Sequence, residues 1–310
     1  MTKELKEITK KIDKEFINYF YFDMNMETIF VVGSMANDKY QDRQDNDYDI
    51  RVICKEVNSI KINNFEKFLE EISKKLTTDT IEVGCSCLIG PVNHKVSNNK
   101  KNILIHSTIY TEDQIENNLP KTHKYQYASN YRIVYGKDIL KKYKNVRCNM
   151  DELINSYECL NYCIDMLKNR EYRYFVWDTK NDKCEFNYYK APMSEDMIIK
   201  SCCYSVNMFI DNLMTYCKWE KYDIPENKMI FTIRLLEKSY VNENTLFLLQ
   251  GLFTENESIL KAIFNNPLKE TIKLLEELKE NIKKLNNIFR KKEDKKNKIL
   301  SKYKNYLLRI

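Results

Sequence analysis

The segment VVGSMANDKYQDRQDNDYDIRVI, residues 31–53, holds two features able to do chemistry. Asp47 and Asp49 stand two apart where Ile50, Val52 and Cys54 alternate with other residues. On a strand both carboxylates leave one face and Tyr48 leaves the other. Two carboxylates about 4 Å apart repel by about 4 kcal/mol at an effective dielectric near 20, a poor arrangement unless a cation joins them. Magnesium suits that place, because it takes hard oxygen ligands and shares its shell with phosphates. The second feature is Gly33-Ser34, at the end of a β-branched run in a chain of only five glycines. A glycine there lets a phosphate approach the backbone, and the following amides and the Ser34 hydroxyl can cradle it. A short helix opening over residues 35–40 would add its dipole.

The elements needed to position these groups are legible around them. Residues 28–34 and 47–54 read as strands. Ser59 reads as an N-cap for an amphipathic helix carrying Ile62, Phe65, Leu69, Ile72 and Leu76. TIEVGCSCLI (80–89) and NILIHSTIY (102–110) read as two more strands, and YRIVYGKDIL as a short strand turning at Gly136 into a helix. This order gives an α+β fold: a mixed sheet with flanking helices over residues 1–145. From 146 to 310 the pattern is mostly that of a helical bundle. Leu153, Tyr157, Leu160, Ile164 and Leu167 mark one helix, residues 194–219 another, and Pro267 opens a long one. Between the first two, EYRYFVWDTKNDKCEFNYYK alternates like a hairpin.

Gly33-Ser34, a twelve-residue gap and then Asp47-Tyr48-Asp49 on a strand resembles the signature of the DNA polymerase β-like nucleotidyltransferase superfamily. That superfamily includes antibiotic adenylyltransferases, minimal nucleotidyltransferases and oligonucleotide-synthesising enzymes. The resemblance covers about residues 28–140. It implies that Asp47 and Asp49 hold divalent metal and that a third carboxylate from a neighbouring strand joins them. Glu82 is the best match for that third ligand, and Asp79 a poorer one. It further implies a two-ion site for Mg2+, or Mn2+ in its place, with a nucleoside triphosphate, ATP first among them, bound over Gly33-Ser34. The implied reaction moves a nucleoside monophosphate to a hydroxyl of a small-molecule acceptor and releases pyrophosphate. Two departures blur the subfamily: MANDKY stands where members often carry Arg-Gly, and Asn46 where they often carry serine.

The helical half is expected to shape the acceptor site. Tyr172, Tyr174, Trp177, Tyr188 and Tyr189 are candidates to stack on a sugar or base, and Asp178, Glu185 or Glu195 to serve as its base. Residues 281–310 hold eleven Lys or Arg and two acidic residues, whereas the whole chain carries only +6. Such a segment keeps nucleic acid open as a partner, although the heptad-spaced Leu275, Leu278, Ile282, Leu285 and Phe289 favour a solvated helix. The alternatives are therefore a transferase acting on RNA or on a protein, and a non-catalytic nucleotide binder. Ten cysteines include no C-x-x-C pair, so they read as buried reduced thiols, not as a disulfide or zinc framework. His106 reads as a core histidine, and His94, with Lys95, as a loop residue; His123 joins no metal pattern. The N-terminal segment is an amphipathic helix with no leader-like apolar run, and no later run reaches membrane-spanning length, which predicts a cytoplasmic chain with no membrane partner.

Overall fold

A computed structural model describes residues 2–36, 45–88, 99–118, 124, 127–145, 150–180, 184–219, 224–236 and 242–282. His94, His123, Leu285, Phe289 and almost all of the basic segment lie outside the described residues, as does most of the stretch between Gly33-Ser34 and Asp47.

The chain divides into two units. In the first, α1 (Lys3–Phe20) leads into β1 (Met26–Val32), β2 (Asp45–Cys54), α2 (Ser59–Leu76), β3 (Ile81–Ser86), β4 (Lys101–Tyr110), α3 (Glu112–Asn118) and β5 (Tyr131–Gly136). The strands form one mixed sheet in the order β3-β4-β2-β1-β5. β4 runs parallel to both β2 and β3, whereas β1 is antiparallel to β2 and to β5. As a central strand β4 is covered on both faces, and every residue from Asn102 to Tyr110 is buried.

One face of the sheet carries α1 and α2. Leu5, Ile8, Ile12, Phe16 and Phe20 of α1 meet Ile62, Phe65, Leu69 and Ile72 of α2 over Ile29, Val31, Tyr48, Ile50 and Val52. Phe16 packs edge-on against Phe68 with ring centroids 5.2 Å apart. Each such side chain contributes about 1.5–3 kcal/mol by burial, which makes this face the main anchor of the sheet. α2 begins one residue earlier than the sequence suggests: Asn58 is the N-cap, its side-chain oxygen accepting from the Lys61 amide at 2.8 Å, and Ser59 is the first helical residue.

The opposite face has a smaller core of Phe30, Val32, Ile53, Tyr110, Ile115, Ala128, Leu140 and Tyr143. Gly136 closes β5 with φ +85, and a Cβ there would fall 2.1 Å from the Glu27 carbonyl oxygen, so the bend admits glycine alone.

The sequence boundary near residue 145 lies close to the end of the first unit's opening stretch, Met1–Glu152, but Glu171–Met197 returns to that unit. The returning stretch is the hairpin β6 (Glu171–Asp178) and β7 (Glu185–Pro192), whose strands pair antiparallel. β3 stops beside His106, so among the described residues no strand continues beside the end of β4 on that side. Trp177 fills in there: its indole N–H donates to the Ile109 carbonyl at 3.0 Å, while Phe186 packs against Tyr110.

The second unit takes Leu153–Arg170 from α4 (Met150–Asn169), and everything from Ile198 onward. It continues with α5 (Glu195–Trp219), α6 (Lys228–Leu235), α7 (Glu243–Phe253), α8 (Glu257–Ile263) and a helix described over 267–282. Asparagines open the last four: Asn227, Asn242, Asn256 and Asn266 each accept from backbone amides two or three residues on. Pro267 takes the first position of the final helix, where its missing N–H costs nothing. Leu275, Leu278 and Ile282 are buried along one stripe of that helix.

Candidate active site

β2 carries the site because its alternation divides it between the two faces. Tyr48 points to the α1 side, donating to Asp13 at 2.5 Å and accepting from Arg132 at 2.7 Å. Arg132 also reaches Asp13 at 2.8 Å. This closed triad ties β2, β5 and α1 together and fixes the pitch of β2. The next alternate positions, Asp47, Asp49 and Arg51, therefore share the opposite face.

Strand register sets their neighbours. Asp49 lies beside His106 of β4 on one side and Val32 of β1 on the other, and Val32 lies beside Tyr131 of β5. His106 in turn lies beside Ser86 of β3. Asp49 is thus the centre of a row that crosses all five strands. Its carboxylate is divided in function. Oδ1 accepts from Arg51 Nη2 at 3.0 Å and lies 3.3 Å from His106 Nδ1. Oδ2 faces Gly33 and would stand 3.0 Å from a Cβ placed there.

Gly33 adopts φ +77, the left-handed region that side chains avoid. Only a glycine both makes this bend and leaves room for Oδ2. The Gly33 carbonyl accepts from the Ala36 amide at 3.2 Å and from Asn130 Nδ2 at 2.6 Å. Ser34–Ala36 form one turn of 3₁₀-helix, with Met35 and Ala36 buried and Ser34 exposed. The remainder of the anticipated 35–40 helix lies outside the described residues.

Arg51 is 4 % exposed and spends its guanidinium on three acceptors: Asp49, the Ile50 carbonyl and the His106 carbonyl. Burial opposes its charge, but the Asp49 carboxylate holds its pKa above the ordinary arginine value. Burial likewise opposes the charge of Asp49. The His106 hydrogen bond and the Arg51 charge outweigh that and hold its carboxyl below the usual range. The His106 ring is pinned at both ends, Nδ1 toward Asp49 and Nε2 on the Leu88 carbonyl.

The structure brings Gly33, Ser34, Asp47 and Asp49 to one end of the sheet, but it does not bring Glu82 there. β4 intervenes between β3 and β2, so Glu82 is two strands from β2, about 10 Å by strand spacing alone. It lies level with Asp45 and pairs with Lys100 at 3.3 Å. Asp79 is exposed in the bend before β3. Among the described residues no group of three or more His, Cys, Asp or Glu side chains is set to hold a metal ion. Asp47 and Asp49 remain, two hard oxygen donors of the kind magnesium shares with substrate phosphates, and the open Oδ2 suits such an ion.

A cavity of about 450 Å³ adjoins the Gly33 bend, lined by Ala128, Ser129, Asn130, Tyr131 and Lys144. Nearby Lys142 is neutralised by Glu112 and Glu116. Lys144 lies instead over the Tyr131 ring, 5.0 Å from its centroid, and forms no ion pair among the described residues. The sequence signals for these parts are uneven. Arg51 shares the parity of Asp47 and Asp49 and was legible from alternation, whereas Asn130 and Lys144 sit after a long polar stretch that marks neither.

The hairpin aromatics are mostly occupied with one another. Tyr174 stacks on Tyr189, whose hydroxyl donates to Asp178 at 2.9 Å, and the Arg173 guanidinium lies over Tyr188. Trp177 is turned to the sheet edge, and Tyr172 is buried.

No family model matches the chain, and no curated protein matches it. Among solved structures, the chain is similar to that of spectinomycin adenyltransferase AAD(9) from Enterococcus faecialis with ATP and spectinomycin. The TM-score is 0.46 and the identity 13%, over 90% of this chain and 99% of that one. No helix among the described residues is long and apolar enough to cross a membrane.

Proposed function

We propose that this chain is a nucleotidyltransferase that moves AMP from ATP to a hydroxyl of a small-molecule acceptor and releases pyrophosphate. One observation carries the reading: the open oxygen of Asp49 is set against a left-handed Gly33 bend, on the same face as Asp47. A carboxylate oxygen left open beside a glycine bend matches a polyphosphate that arrives with its dication.

Asp47 and Asp49 would hold the divalent ion, magnesium first and Mn2+ in its place, which would neutralise phosphate charge and polarise the α-phosphorus. Gly33 and Ser34 present amide and hydroxyl donors to the phosphates, and Lys144 adds a cation beside them. Asn130 holds the Gly33 carbonyl back, so that the bend keeps its donors forward. Arg51 and His106 fix the Asp49 carboxylate in one rotamer, which keeps Oδ2 aimed at the bend. The acceptor oxygen bonds to the α-phosphorus, its proton passing to solvent, as the bond to the bridging oxygen breaks and pyrophosphate leaves. Positioning and charge neutralisation supply most of the acceleration, as in phosphoryl transfer generally.

The reading is tested by incubating the purified chain with each α-labelled nucleoside triphosphate, magnesium and a panel of hydroxylated small molecules, then resolving products by mass. An adduct heavier than an acceptor by one nucleoside monophosphate, with matching pyrophosphate, is the expected result. Nucleotide bound but never consumed would overturn transfer in favour of a binding protein. An oligonucleotide ladder or a labelled protein would move the acceptor from small molecule to macromolecule.

A further inference from the structure

The described surroundings of the two aspartates limit how many ions they can serve. We infer that the site takes a single dication, and that the buried Arg51 guanidinium stands as a fixed positive charge where a second ion would otherwise sit. This rests on the nucleotidyl-transfer reading and concerns the same site.

Two ions about 3.5–4 Å apart need a carboxylate that offers one oxygen to each, and further anionic ligands around the pair. Asp49, central in its row, is the residue placed to bridge. Its Oδ1 is already engaged by Arg51 at 3.0 Å and by His106 at 3.3 Å, so one oxygen remains.

The adjacent strand adds no third carboxylate. On β4 the positions beside Asp47 and Asp49 are Leu104, which is buried, and His106, whose other ring nitrogen is spent on Leu88. Glu82 is beyond β4 and paired with Lys100.

Arginine does not give up its proton in proteins, so Arg51 keeps a positive charge beside Asp49. A second ion would have to enter beside that guanidinium, which is 4 % exposed and held by three acceptors.

The count is measured with the whole chain and a non-hydrolysable ATP analogue at equal concentration, titrating Mn2+ and following the free-ion signal by electron paramagnetic resonance. One ion per complex, held at least ten-fold more tightly than by the analogue alone, is expected. Two ions held that tightly would overturn the inference and leave the transfer reading standing. No binding beyond that of the analogue alone would overturn both. Arg51→Gln, checked for folding by circular dichroism, removes the fixed charge beside Asp49 Oδ1 and is expected to raise the count toward two. A folded variant that still takes one would contradict the part given to Arg51.

Discussion

Gly33 and Asp49 constrain each other. A Cβ at Gly33 would meet Asp49 Oδ2 at 3.0 Å while the backbone is held at φ +77. Gly33→Ala is therefore expected to lose about 1–2 kcal/mol of stability from the left-handed backbone alone. It should also lose most activity, because Oδ2 must turn away. Urea denaturation set beside a turnover assay checks both; an active variant of unchanged stability would contradict the packing. Asp49 also links stability to pH. Its carboxyl is held below the ordinary value of 3.8, so its contribution is fully present above that value and is lost as pH falls through the lower folded one. Denaturation midpoints between pH 6 and pH 2 should fall more steeply for the wild type than for Asp49→Asn, with the difference confined to the acid end. The two midpoint curves staying parallel would show that Arg51 and His106 do not stabilise the anion.

Strands explain what the sequence made legible and what it hid. Period-two alternation is imposed by burial, so the opposite facings of Asp47 and Tyr48 could be read from Ile50, Val52 and Cys54 alone. All five strands of the sheet and the hairpin were visible in the same way, since each is an apolar or aromatic run ended by polar residues. Strand order was not visible. Chain order suggests β3 as a neighbour of β2, but β4 inserts between them, and that single topological fact removes Glu82 from the aspartates and brings in His106. The parallel pairing of β2 with β4 joins residues more than fifty positions apart, and no local pattern encodes which runs will meet. The Asn58 cap was legible but is easily passed over, because Ser59 beside it is an equally good capping type. One hydrogen bond in the hairpin's return to the sheet can be tested by itself. Trp177→Phe removes the donor to the Ile109 carbonyl while keeping an aromatic ring, and should cost about 1 kcal/mol in thermal or urea unfolding. No measurable loss would mean that the end of β4 is satisfied by other means.

Across the whole molecule, scarce glycine and proline foretold long helices, and every described element of the second unit is a helix. The cysteines whose side chains are described are free thiols, and Cys54, Cys163, Cys202, Cys203 and Cys217 among them are buried, as their spacing suggested; Cys85, Cys87 and Cys184 are only partly buried. Burial raises the thiol pKa of Cys54 and Cys202 to about 11, and of Cys203 and Cys217 to about 12. Near pH 8 these four should resist alkylation in the native state and react once the chain is unfolded, as peptide mapping after a short iodoacetamide pulse would report. Rapid native labelling of Cys202 or Cys203 would contradict their place in the core of the second unit.

The claim on which the rest depends is that Asp47 and Asp49 act chemically. It is tested most directly by measuring AMP transfer from α-labelled ATP for the wild type, Asp47→Asn and Asp49→Asn, with thermal melts of all three at neutral pH. The account predicts at least a thousand-fold loss of transfer, or about 4 kcal/mol in barrier, for each variant, with folding retained. Turnover within ten-fold of the wild type in the folded Asp49→Asn protein would contradict it.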